Sequence, residues 1–260
     1  MSLILTQLQN QIFTITLNRP DKFNSFTEPM ALEIHEALKE AESDEIRCVI
    51  LNANGKAFCA GQDLPEVVNR EEEPEYVLAD TVHGTYNPII KGIRNLEKPV
   101  VSAVQGTAAG AGANIAFACD ITVASNEAVF VQAFSKIGLI PDSGGTWFLP
   151  RLAGLGRANA LYLLDEKLTA KQAVEYGLIY KAVDHEELSN ETAKIAEKLA
   201  SLPTRGFALY KKAINQSFTN TLDQQLDLEA ELQTEAGKSS DYKEGVSAFL
   251  EKRKPEYTGK

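Results

Sequence analysis

Twice in this chain an apolar, β-branched run ends in a stretch of glycine and alanine. Residues 47–52 (RCVILN) lead into 55–64 (GKAFCAGQDL), and residues 98–104 (KPVVSAV) lead into 105–114 (QGTAAGAGAN). Each run reads as a buried strand, and each small-residue segment lets a ligand lie against bare backbone. N–H groups at or near a helix start in two such loops can converge on one carbonyl oxygen and stabilise it as an oxyanion.

The flanking patterns set the fold class. Residues 3–8 and 13–17 are apolar or alternating runs separated by Gln9, Asn10 and Gln11, which predicts an opening hairpin. Thr27 as N-cap, Pro29 in the first turn and Met30, Ile34, Leu38 and Ala41 on one face predict a helix, with His35 as an exposed residue beside that stripe. The order then reads strand (48–51), loop with short helix (62–68), helix (76–96), strand (100–104), helix (110–118) and strand (121–124). Strands alternating with helices imply crossover units of an α/β fold, and the hairpin makes the sheet mixed. Beyond Asp142 the chain turns mostly helical. Thr169 and Gln172 form a capping box ended by Gly177, Leu222, Leu226 and Ala230 share a face, and Asp241 with Glu244 opens a last helix.

Bulk properties exclude several classes. A chain of 260 residues, 44% hydrophobic and without a Pro- or Ser-rich linker, can bury one large core. A formal net charge of −10 argues against nucleic acid as a partner, so an anionic ligand needs local cations such as Arg19 and Lys22, or Lys252, Arg253 and Lys254. Cys48, Cys59 and Cys119 lack CxxC spacing and sit in apolar stretches, as buried cysteines of a reducing compartment do. The three histidines lack ligand spacing, so no metal site is expected. The first residues resemble no signal or transit peptide and no run reaches membrane-spanning length, so the expectation is a cytoplasmic protein without membrane contact.

Candidate chemistry centres on residues 130–146 (FVQAFSKIGLIPDSGGT), whose only acidic residue is Asp142. A carboxyl group among apolar neighbours gains proton affinity and suits proton transfer to and from carbon near neutral pH. The run Pro141, Asp142, Ser143, Gly144 also fits a plain turn before a helix.

Four motifs in order, LNRPDKFNSF (17–26), AFCAGQDL (57–64), AVQGTAAGAGANIAFACD (103–120) and IPDSGGTWFLPRL (140–152), resemble the crotonase (enoyl-CoA hydratase/isomerase) superfamily across essentially the whole chain. The resemblance implies a ClpP-like spiral of ββα units over residues 1–200. It also implies a helical region over 201–260 that mediates trimerisation and completes the CoA site. An acyl-CoA thioester is then the substrate, coenzyme A enters as part of it without a separate cofactor, and the assembly is a homotrimer or dimer of trimers. Within the family, Tyr86-Asn87-Pro88 and the segments 133–147 and 241–260 look most like isomerases acting on ring-1,2-epoxyphenylacetyl-CoA in phenylacetate degradation.

Carried over position by position, the resemblance assigns the two oxyanion amides to Gln62, after Ala60-Gly61, and Ala111, within Gly110-Ala111-Gly112. Hydratases of the family use two glutamates. This chain has Asn114 at the first position and Ala133-Phe134 in place of the Pro-Glu pair, so efficient hydration is not expected. Asp142 falls where isomerase-type and dehalogenase-type members carry an aspartate, and isomerisation by one carboxylate is the simplest implication. The CoA moiety is expected against Ala60, Gly61, Asp63 and Leu64, with Lys22 and Phe23 nearby and Phe249 and Lys252 from a neighbouring subunit; Asp63 equally suits a helix N-cap. The acyl pocket is expected from Tyr86, Gly110, Asn114, Phe134 and Ile137, with Val67, Val68, Val82, Ile89 and Leu139 as further apolar candidates and His83 on the helix surface. The acidic run Glu71-Glu72-Glu73 reads as a solvated loop and the place for a lid. Two alternatives stay open: a hydratase with atypical residues, and a silent acyl-CoA-binding subunit of a larger complex.

Overall fold

A computed structural model of the protein describes residues 2–70 and 75–260; the acidic run Glu71-Glu72-Glu73 lies outside the described residues. In chain order the elements are β1 (Ile4–Gln9), β2 (Ile12–Leu17), α1 (Glu28–Glu40), β3 (Cys48–Ala53), β4 (Ala57–Cys59), α2 (Leu64–Arg70), α3 (Leu78–Thr81), α4 (Asn87–Asn95), β5 (Val100–Val104), β6 (Thr107–Ala109) and α5 (Ala111–Ala118). They continue as β7 (Ile121–Ser125), β8 (Val129–Val131), α6 (Gly145–Ala153), α7 (Leu155–Leu163), β9 (Leu168–Thr169), α8 (Ala170–Glu175), β10 (Lys181–Val183), α9 (Leu188–Ala200), α10 (Thr204–Ser217), α11 (Leu222–Ala236) and α12 (Ser240–Glu251).

The hairpin forms as expected, because Asn10 and Gln11 both take left-handed φ (51° and 63°), the arrangement a two-residue turn needs to match strand twist. One sheet has the order β1-β2-β3-β5-β7-β10 and is parallel except for β1 against β2; a second has the order β4-β6-β8-β9. Each of β3, β5 and β7 passes directly into its neighbour β4, β6 or β8 in the other sheet and then into a helix. This repeated ββα step is the expected spiral.

The second sheet corrects the sequence reading, which treated 55–64 and 105–114 as loops. β4 and β6 are three residues each and built from Ala, Phe, Cys and Thr, too short and too small to carry an apolar periodicity. The predicted helix over 76–96 is also divided. It begins at Leu78, and Val82–Tyr86 form a π-turn containing Gly84 before α4. The extra residue in that turn shifts the helix face, so Tyr86 lines a cavity while Ile89 stays fully buried in the core.

Both faces of the large sheet are covered, as a parallel sheet requires. Val49 and Leu51 of β3 pack with Met30, Ile34 and Leu38 of α1, whereas Cys48 and Ile50 pack with Ala196 and Ala200 of α9. Cys48, Cys59 and Cys119 are free and buried. Thr27 caps α1, and Thr169 with Gln172 caps α8, as expected. Asp241 falls in the first turn of the last helix, as expected. Ser239 caps α12, while the Asp241 carboxylate is buried and accepts the N–H groups of Thr258 (2.7 Å) and Gly259 (2.8 Å), pinning the chain end. His35 is half-buried with a shielded Nδ1, not exposed. The stripe on α11 faces outward, with Leu222 73% and Leu226 52% exposed.

The C-terminal helices are fastened to the core through buried charge. Lys211 of α10, 4% exposed, donates to the carbonyls of Ile93 (3.0 Å) and Lys98 (2.9 Å) and to the Asp120 carboxylate (2.7 Å). Burial pushes the Lys211 pKa down, and Asp120 opposes that shift. Asp120→Ala would strand the ammonium group, so it is expected to cost about 3–5 kcal/mol in chemical denaturation.

Candidate active site

Two backbone segments meet at the glycine-rich turns. Phe26 bridges Gln62 in parallel fashion, with the Phe26 N–H donating to the Gly61 carbonyl (2.7 Å) and the Asp63 N–H to the Phe26 carbonyl (2.8 Å). In that pattern the bridged residue's own N–H points away from its partner, so the Gln62 amide is turned away from Phe26. Gly61 takes φ +87°, and a Cβ there would lie 3.0 Å from the Ala109 carbonyl oxygen and 3.9 Å from the Ala111 nitrogen. Ala111 is the first residue of α5, where an N–H has no acceptor within its own helix. Gln62 and Ala111 line one cavity.

Asp142 lines the same cavity from a turn that other residues hold rigid. Its carbonyl accepts from the Gly145 N–H (2.8 Å) and from Asn114 Nδ2 (2.9 Å), and Ser143 Oγ donates to its carboxylate (3.0 Å). A Cβ on Gly145 would sit 2.4 Å from Asn114 Nδ2, so the amide reaches the turn only because that residue is glycine. Burial pushes the Asp142 carboxyl up to about 6, against the lowering effects of Ser143 and its own backbone N–H. A carboxylate so tuned can take and return a proton near neutral pH. Among the described residues Asp142 is the only carboxylate lining the cavity.

The cavity measures ≈160 Å³, close to the ~150 Å³ apolar cavity that accepts benzene, so one six-membered ring or a short acyl chain fits. Ala60, Gly61, Gln62, Leu64, Tyr86, Gly110, Ala111, Phe134, Ile137 and Asp142 come together on its wall, as do Val67, Val82 and Leu139. Other expected residues do not join them. Asn114 is fully buried behind the wall as a support for the Asp142 turn, Ile89 is core, and Val68 is 58% exposed. His83 is on the helix surface, bonded to Asn87. Lys22 and Phe23 lie exposed in the loop before α1, and Asp63 is held by Arg19 (3.0 Å) and Ser25 Oγ (3.2 Å). Phe249, 82% exposed, borders a separate cleft with Pro203 and Tyr257, and Lys252 is the left-handed C-cap of α12.

Gln132, Leu78 and Thr81 also line the cavity and were not anticipated. Gln132 is 3% exposed, and its Nε2 donates to Asn114 Oδ1 (3.1 Å), so Gln132, Asn114 and the Asp142 carbonyl form one chain of bonds. No local periodicity marks it, because the contacts span 18 and 28 residues of sequence. Asn114→Ala leaves the Gln132 amide and the Asp142 carbonyl each short of a partner. The expected loss is about 2–4 kcal/mol in urea unfolding, with a fall in turnover as the Asp142 turn loosens.

Comparison with known proteins shows the family. A family profile described as Enoyl-CoA hydratase/isomerase matches residues 7–260. The 1,2-epoxyphenylacetyl-CoA isomerase of Escherichia coli (strain K12) is 50% identical over 261 residues, covering 100% of each chain. The trans-2-decenoyl-[acyl-carrier-protein] isomerase of Streptococcus mutans is 38% identical, covering 99% of this chain and 98% of that one. A crystal structure of an enoyl-CoA hydratase from Polaromonas sp. JS666 superposes with a TM-score of 0.93 at 36% identity, covering 98% of this chain and 99% of that one. Motifs, ββα spiral and full-length similarity agree, and the chain belongs to the enoyl-CoA hydratase/isomerase family of the crotonase superfamily.

Proposed function

We propose that the protein is an acyl-CoA isomerase in which the amides of Gln62 and Ala111 hold the thioester oxygen and Asp142 moves the proton. The observation that carries this reading is that, among the described residues, Asp142 is the one carboxylate on the cavity wall. Hydration needs a group to activate water and another to protonate carbon. Migration of a double bond needs one base that takes a proton from one carbon and returns it to another while the enolate is stabilised between the steps. The substrate class is ring-1,2-epoxyphenylacetyl-CoA or an unsaturated acyl-CoA; the 50% identity to the Escherichia coli isomerase and a cavity of ring size support the former.

Coenzyme A enters only as part of the substrate, lying along Ala60, Gly61, Asp63 and Leu64 with Lys22 and Phe23. Phe249 and Lys252 reach the site from a neighbouring subunit of a cytoplasmic trimer or dimer of trimers. The outward apolar side chains of Leu222, Leu226, Phe249 and Leu250 support such an assembly. Incubation with a panel of acyl-CoAs, read by mass spectrometry, is expected to give products of unchanged mass. Dominant formation of water adducts, with rapid loss of the conjugated absorbance of crotonyl-CoA, would instead make the protein a hydratase with unusual residues.

A further inference from the structure

Glu66 of α2 is not part of the cavity wall, yet its carboxylate is bonded to that wall. Both its oxygens accept the N–H of Glu28 at the start of α1 (3.1 and 3.2 Å), and Oε2 also accepts from Gln62 Nε2 (3.3 Å). Gln62 Nε2 donates in addition to the Phe26 carbonyl (3.2 Å). Both partners of that nitrogen are pure acceptors, which fixes the amide: nitrogen toward Glu66 and Phe26, oxygen toward Tyr86, whose hydroxyl donates to it. Tyr86 has one proton to give, so its oxygen presents only lone pairs elsewhere. Burial, and next the nearby Asp142 charge, raise the Tyr86 pKa and keep the phenol neutral. Tyr86 is further held by an edge-on contact with the Phe26 ring, centroids 5.8 Å apart.

Building on the isomerase reading, we propose that Glu66 is a positioning residue that acts through Gln62. It fixes the side chain that orients the Tyr86 hydroxyl, and with it the backbone of the residue whose N–H faces the thioester oxygen. One carboxylate outside the cavity thereby ties α1, the first glycine-rich turn and the π-turn into a single hydrogen-bonded unit.

The test is a double-mutant cycle. Glu66→Leu keeps most of the volume but removes the oxygens that accept the Glu28 N–H and Gln62 Nε2. It is expected to lower kcat about 10-fold while KM changes by less than about 3-fold, because reach to the reacting centre is altered and not the hold on CoA. Tyr86→Phe is expected to lower kcat by a similar factor, and the double variant to fall no more than about 20-fold instead of about 100-fold, since both substitutions break the same unit. A product of the single effects, or an unchanged kcat in Glu66→Leu, overturns the proposal, while Glu66→Gln, whose carbonyl oxygen can take the Oε2 position and accept both donors, should stay within about 3-fold of the parent. A second measurement needs no turnover. In protein labelled with 3-fluorotyrosine, the ¹⁹F resonance missing from Tyr86→Phe should move in Glu66→Leu; a resonance that stays in place refutes the linkage. A protein whose resonance moves but which isomerises no acyl-CoA would refute the isomerase reading and leave the linkage intact.

Discussion

Asp142→Asn is expected to slow isomerisation about 10²–10⁴-fold while the variant still binds the CoA thioester. Asparagine keeps an oxygen for Ser143 Oγ and nearly the same volume, so the turn fixed by Asn114 and Gly145 survives and only proton transfer is lost. Steady-state kinetics and calorimetric titration with a non-reacting thioester, read together, separate the two effects. Equal losses in binding and rate would move Asp142 from the chemistry to the architecture.

The same residue makes a prediction about pH. The base must be ionised, and burial sets the carboxyl near 6, so kcat/KM should rise about tenfold per pH unit below that value and level off above it. Stability should run the other way. A carboxyl raised from 3.8 to about 6 binds its proton more tightly in the folded chain, so its contribution is complete below 3.8 and lost as pH rises through 6. At about 1.4 kcal/mol per unit, the ionised carboxylate costs up to about 3 kcal/mol at neutral pH. Asp142→Asn should therefore unfold at higher temperature than the parent at pH 8, with the difference vanishing toward pH 4. A variant no more stable than the parent at pH 8 would show that the carboxylate is not desolvated.

Legibility in the sequence followed the range of the interactions. β3, β5, α1 and the Thr169–Gln172 cap were readable because their signals lie within one turn or one strand. β4, β6 and β8 were not, since three-residue strands of the second sheet are specified by pairing with one another. The same holds at the site. Asp142, Gln62 and Ala111 sit in motifs whose order carries the family, and all three line one cavity. Asn114, expected on the pocket wall from the resemblance, is fully buried with its amide spent on the Asp142 carbonyl, 28 residues away. Gln132 and Glu66 gave no signal at all, being defined by the groups they orient.

Ala111→Pro is expected to lower kcat/KM by at least about 10²–10³-fold, because the ring Cδ replaces the N–H donor and stands where that amide would hold the thioester oxygen. The helix itself should tolerate the substitution. Ala111 is the first residue of α5, where proline is favoured and no helical hydrogen bond is lost. The residue before it, Gly110 at φ 52° and ψ −124°, has no Cβ to meet the proline ring. Ala111→Gly, which keeps the N–H, serves as the control and should remain within a few-fold of the parent. Loss of the donor and the bulk of the ring Cδ act at the same oxygen, so substrate binding and the enolate, whose fuller negative charge needs both donors, are weakened together. If Ala111→Pro folds with an unchanged melting temperature and turns over at the parental rate, the thioester oxygen lies elsewhere. Asp142 would then be working on a differently placed acyl group.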